Sequence, residues 1–159
     1  MSLVVLGLSG ALTHDPSAAI YVDGELIAAA EEERFTRQKH AKNAMPLHAA
    51  RYVLQEANLK PKDVDVVAFP FGKISLFGKA RWHYAKRHWY APDRALDAIF
   101  NGNRHYRRNV KKVRELLVEL GINWADIEFD AVEHHIAHAS SSYHLSGFEG
   151  KTAILGIDG

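Results

Sequence analysis

The chain opens on a short apolar run, Leu3 to Leu8, that gives way to the polar loop "SGALTHDP". The run is too short for a membrane span and lacks the basic flank of a signal peptide, so it predicts a buried strand. In "SAAIYVDGELIAAAEEER" two apolar runs flank Asp23-Gly24, a two-residue turn signal that predicts a β-hairpin. After Pro46 the period changes. Leu47, Ala50, Val53, Leu54 and Ala57 share one face of a helix that ends before Pro61. "DVDVVAFPF" reads as a buried strand, and "RNVKKVRELLVELG" as an amphipathic helix with Gly121 as its C-cap. "IEFDAVEH" predicts a strand, "HIAHASSSYHLS" a helix, and "KTAILGID" a final strand.

A meander followed by alternating helices and strands predicts an α/β fold, a mixed five-stranded sheet with helices on both faces. The order matches the first lobe of the actin/hexokinase/heat-shock-ATPase superfold. On that match, residues 1–150 form the first lobe, with a basic helical insertion at 72–112, and residues 151–159 begin a truncated second lobe.

Composition adds limits. With 159 residues, 47% hydrophobic and 25% charged, the chain is rich enough in apolar residues for one folded domain. It has no cysteine, so any metal must be held by nitrogen and oxygen ligands, and a cytoplasmic location with no membrane association is expected. The net charge of +1 conceals a segregation: residues 72–112 hold eleven Lys or Arg against Asp93 and Asp97, which leaves −8 on the rest.

Candidate chemistry begins with "EHHIAH". His134 and His138, four apart on a predicted helix, can share one ion. With ten histidines in the chain, a chance pairing is the competing reading. Asp158, at the carboxyl end of the predicted last strand, is a candidate third ligand, and two imidazoles with one carboxylate suit Fe(II) or another divalent metal. Gly156 and Gly159 beside it allow backbone to approach a ligand. His135 points to another face, as a core or supporting residue. In the loop after the first strand, Gly7 and Gly10 ease a turn while Ser9, Thr13, His14 and Asp15 supply polar groups. His14 can serve as a general base with Asp15 orienting it; Asp15-Pro16 as a plain turn is the alternative. "EEERFTRQKH" ends a strand on three glutamates and continues with Arg34, Arg37, Lys39 and His40, either a site for an anionic ligand or a solvated charged loop.

Taken together, "GLSGALTHDPSAAIYVDGELIAAAEEERFTRQKH", "VEHHIAHASSSYHLSGFEG" and "AILGIDG" resemble the O-carbamoyltransferases that act on nodulation factors and on aminoglycoside and cephem antibiotics. The resemblance implies transfer of a carbamoyl group from carbamoyl phosphate, by way of ATP and carbamoyl adenylate, to a hydroxyl of a small-molecule acceptor. It implies that His134, His138 and Asp158 are metal ligands, with a further aspartate from the second lobe. It also implies that His14 lies beside the acceptor hydroxyl, and that the adenylate-forming domain and the second lobe are other parts of a longer chain. As a fragment, the chain alone is expected to be inactive.

The basic segment 72–112 interleaves its cations with Phe77, Trp82, Tyr84, Trp89, Tyr90, Phe100 and Tyr106, a pattern that single-stranded nucleic-acid grooves also use. A nucleic-acid-linked role, such as that of a tRNA-modifying threonylcarbamoyl transferase relative, is therefore an alternative. A solvated insertion capping the acceptor site is preferred, with no nucleic-acid partner expected. A metal-binding domain without catalysis is a further alternative, in which His14 would have no function.

Overall fold

The computed structural model describes residues 2–10, 14–73, 79–101 and 103–157, and its centre is a five-stranded mixed sheet. The strands are β1 (Val4–Ser9), β2 (Ser17–Val22), β3 (Glu25–Glu31), β4 (Val66–Phe69) and β5 (Glu128–Ala131), in the order β3-β2-β1-β4-β5. β1, β2 and β3 pair antiparallel as the expected meander, and Asp23 and Gly24 both take positive φ at its turn. β4 adds parallel to β1, and β5 parallel to β4. This brings the carboxyl ends of β1, β4 and β5 to one edge of the sheet, where α/β folds present ligand groups.

Among the described residues six α-helices accompany the sheet: α1 (Glu33–Thr36), α2 (Leu47–Glu56), α3 (Lys79–Arg87), α4 (Pro92–Asn101), α5 (Arg104–Leu120) and α6 (His134–His144). One face of the sheet is dry. Leu6, Leu8, Ile20, Val67 and Phe69 point from the strands into a core closed by Ala50, Val53 and Leu54 of α2 and Val113, Leu116, Leu117 and Leu120 of α5. The α5 residues recur at three- and four-residue spacing, which is why this charged helix still has a buried stripe. Gly121, at φ 81°, ends it in the left-handed conformation anticipated for the C-cap.

The opposite face is open. Across it runs a row of small residues in register, Ala29, Ala19, Gly7 and Ala68. With Ala137, Ser140, Ser141 and His144 of α6 along its side, this face forms a groove of about 1160 Å³. Helices therefore flank both faces, but only one is packed.

Two sequence expectations need correction. Residues 151–157 form no strand: the segment is irregular, and Leu155 and Ile157 are 85% and 87% exposed. A strand exists only with a hydrogen-bonded neighbour, and among the described residues no strand pairs with it. The charged stretch after β3 is also no loose loop. Glu32 is buried, and its carboxylate accepts the backbone N–H groups of His48 and Ala49 and lies 2.6 Å from the His48 ring Nδ1. It thus caps α2 from a distance, since Pro46 leads into that helix without a side-chain cap of its own.

The basic segment contains α3 and α4, which pack on each other as a helical pair with Trp82, Trp89, Tyr90, Leu96 and Phe100 exposed. Among the described residues, no helix is long and apolar enough to cross a membrane.

Candidate functional site

The strand ends at one edge of the sheet hold most of the candidate residues. Gly10 leaves β1 at φ 107°, and a Cβ there would stand 2.5 Å from Pro16 Cβ, so the β1–β2 loop can close only on glycine. Gly72, after β4, brings its backbone so near the end of β5 that a Cβ would lie 3.0 Å from the Ala131 carbonyl. This close passage sets Pro70 and Phe71 beside the start of α6.

There the two histidines converge. Nε2 of His138 lies 3.2 Å from Nε2 of His134. Donors at about 2.1 Å from one metal stand roughly 3.0–3.4 Å apart, depending on the coordination angle, so the spacing fits a shared ion. Nδ1 of His134 is 3.1 Å from the Pro70 carbonyl, which can only accept, so Nδ1 carries the proton and Nε2 the lone pair. Phe71 stacks on the same ring at 4.7 Å between centroids. Orientation by a backbone carbonyl and an aromatic face distinguishes this pair from a solvated one. Helix α6 starts just ahead of His134, where Glu133 accepts the Ile136 N–H at 2.9 Å. Hydrogen bonds from His135 and from the Ile136 and His135 N–H groups hold the Glu133 carboxyl below its usual value. His135 is exposed and engages Glu133, so it is neither core nor part of the pair.

His14 and Asp15 follow Gly10. Asp15 Oδ2 lies 2.6 Å from His14 Nδ1 and Oδ1 lies 2.8 Å from His40 Nδ1. The two rings, His40 first, hold the Asp15 carboxyl below its usual value. Asp15, Glu33 and His40 also bring potential ligand atoms within 4.8 Å of one another, although hydrogen bonds already engage them. Ser9 ends β1 and lines the groove, whereas Lys39 is exposed on a short 3-10 turn at Lys39–Ala41. Gly156 lies in the exposed tail, where a Cβ would meet nothing within 4 Å among the described residues. Thr13, Asp158 and Gly159 fall outside the described residues.

The sequence reading missed two contributors, the Pro70 carbonyl and the Phe71 ring, and a third relationship, the pairing with Asp15 of His40, which it named only among the cations after β3. The first two are signalled only by "FPFG" near a strand end, and the third by nothing local, since His40 sits 25 residues from Asp15.

Comparison with known proteins adds to this geometry. Residues 4–159 match the family profile described as carbamoyltransferase N-terminus. The nodulation protein NolNO of Sinorhizobium fredii is 33% identical over 175 residues, covering 99% of this chain and 23% of that protein. An uncharacterized protein of Synechocystis is 33% identical over 162 residues, covering 98% of this chain and 25% of the relative. The chain thus spans about a quarter of the length of these relatives. Among solved structures, YeaZ from Pseudomonas aeruginosa aligns over 91% of this chain and 50% of its own, at a TM-score of 0.46 and 18% identity.

Proposed function

This chain belongs to the carbamoyltransferase family, matching its N-terminal part, and on that premise we propose that it forms one wall of a site where a carbamoyl group passes to the hydroxyl of a small-molecule acceptor. The observation that carries the reading is the converging pair His134 and His138, with His134 oriented by the Pro70 carbonyl.

An alcohol is a weak nucleophile near neutral pH, so transfer needs a base at the hydroxyl. His14 has that role. With Nδ1–H turned to Asp15, its basic lone pair is on Nε2, which accepts the hydroxyl proton as the oxygen bonds to the carbamoyl carbon. The bond from that carbon to the leaving group breaks, and its electron pair departs with an anionic phosphate-type group. Lys39, on the turn that also carries His40, contributes positive charge toward such a donor. Ser9 and the row of small residues give the groove a floor that bulky ligands can approach closely.

His134 and His138 would hold a divalent ion such as Fe(II), together with a carboxylate for which Asp158 is the candidate, and the ion would supply charge neutralisation for the anionic donor. The donor itself is expected to be carbamoyl adenylate made from carbamoyl phosphate and ATP by other parts of the longer protein. The test is a transfer assay on the complete reading frame, with carbamoyl phosphate, ATP and a panel of polyol acceptors, read by mass spectrometry. A hydroxyl-linked carbamoyl product that needs both substrates and is lost in His134→Ala supports the reading. Turnover unaffected by that substitution overturns it.

A further inference from the structure

The loop after β1 and the turn after α1 meet at a cluster in which one carboxylate serves two imidazoles. Asp15 Oδ2 engages His14 Nδ1 at 2.6 Å, and its Oδ1 engages His40 Nδ1 at 2.8 Å. The backbone repeats the connection, because the Asp15 N–H donates to the His40 carbonyl at 2.9 Å. The backbone of His40 is fixed as well: its main-chain N–H donates to Glu33 Oε2 at 3.0 Å. Asp15 and His40 both sit at positive φ, 55° and 63°, which side chains other than glycine rarely adopt. Such backbone persists only where the surroundings over-determine it, and it gathers where a side chain must be aimed.

A carboxylate with one fixed oxygen could swing about its Cβ–Cγ bond. Here both oxygens are committed, so the plane of the group is set. We propose that His40 is a positioning residue: by anchoring Asp15 Oδ1 it keeps Oδ2 on His14 and so holds His14 as the Nδ1–H tautomer with its lone pair on Nε2. The catalytic part of this rests on the reading of His14 as the base. The tautomer does not, since it follows from the contacts of the carboxylate with the two rings. A base orientated by a carboxylate is a general device; here a second imidazole, from another loop, holds that carboxylate.

The experiment is long-range proton–nitrogen NMR of the imidazoles in the chain at neutral to mildly alkaline pH, with His14 and His40 assigned by substitution. Free histidine favours the Nε2–H form. The expected spectrum shows Nδ1–H for both rings, a drift of His14 toward Nε2–H in His40→Ala, and recovery in His40→Asn, whose amide N–H stands near the place of Nδ1–H. In the complete reading frame, His40→Ala should lower kcat roughly 10²-fold with little change in the acceptor KM, the size of effect expected from a misaimed group. His14 in the Nε2–H form in the unaltered chain overturns the proposal, a result that stands even if His40→Ala fails to fold. A His14 tautomer indifferent to folded His40→Ala also overturns it. If the tautomers are as described but His14→Ala leaves transfer intact, the role of His14 as base falls while the positioning stands.

Discussion

The Nε2 atoms of His134 and His138 lie 3.2 Å apart on α6, and the Pro70 carbonyl fixes the His134 ring. Removing either imidazole should weaken divalent-metal binding at least as much as the 10- to 100-fold typical for loss of a supporting hydrogen bond. Calorimetry and metal analysis on the chain, His134→Ala and His138→Ala check this, and retention of metal by both variants would defeat the assignment. Phe71→Ala, which removes only the stacked ring, should weaken binding less than either.

The start of α6 should depend on pH. Glu133 is held below its ordinary value of 4.5 by His135 and by the Ile136 N–H, so its contribution is fully present above that value and lost as pH falls through the lowered one. Acid titration below about pH 4.5 should therefore release the Ile136 amide and fray the turn carrying His134, with amide chemical shifts as the readout. Glu133→Gln should abolish that transition. The same transition surviving in Glu133→Gln would refer it to another carboxylate.

His14 is exposed and lies on a polar loop, so His14→Ala should leave the melting temperature within a few degrees. In the complete reading frame the same change should lower kcat roughly 10²- to 10⁴-fold, the usual range for a lost general base. A large loss of stability with unchanged turnover would make His14 a turn residue.

Glu32 presents the opposite case. Its carboxylate is buried and accepts two backbone N–H groups at the start of α2, so Glu32→Ala should destabilise the chain by about 2–3 kcal/mol. At roughly 2–4 °C per kcal/mol for a chain of this size, the fall in melting temperature is readily measured. Glu32→Gln keeps the volume and one acceptor oxygen and should lose less; equal losses would mean that the whole carboxylate, with both oxygens accepting, is required and that side-chain volume is not what matters.

This residue also shows where the sequence was legible and where it was not. The hairpin at Asp23-Gly24, the α2 and α5 stripes and the His134–His138 pair are local patterns, and the structure has them where the spacing put them. Glu32 sits in a run of three glutamates that reads as solvated, and its burial depends on α2 packing across β3, a contact no local pattern encodes. Asp15 meets His40 only because two loops that each place a non-glycine residue in the left-handed conformation fold together. The apolar stretch at 151–157 fails in the other direction: its period is that of a strand, but a period supplies no neighbour.

That last segment yields a prediction with an internal control. Ile154, Leu155 and Ile157 are 46%, 85% and 87% exposed, so the stability of the described fold owes them little, although they are as apolar as the core. Leu155→Asp should leave the melting temperature nearly unchanged, and amides 152–157 should exchange as fast as an unprotected peptide, because no strand alongside protects them. Leu117, fully buried in α5, supplies the contrast: Leu117→Ala removes the same kind of side chain from a packed site and should cost about 2–5 kcal/mol. The comparison separates hydrophobicity from burial, since both positions are leucine in one chain. Slow exchange at 152–157, or a loss in Leu155→Asp approaching that of Leu117→Ala, would show that the segment pairs in solution, and Asp158 would then follow a fixed strand. Fast exchange with a silent Leu155→Asp would leave His134 and His138 as the ordered ligands of the site, and Asp158→Ala should then reduce metal affinity less than either histidine substitution.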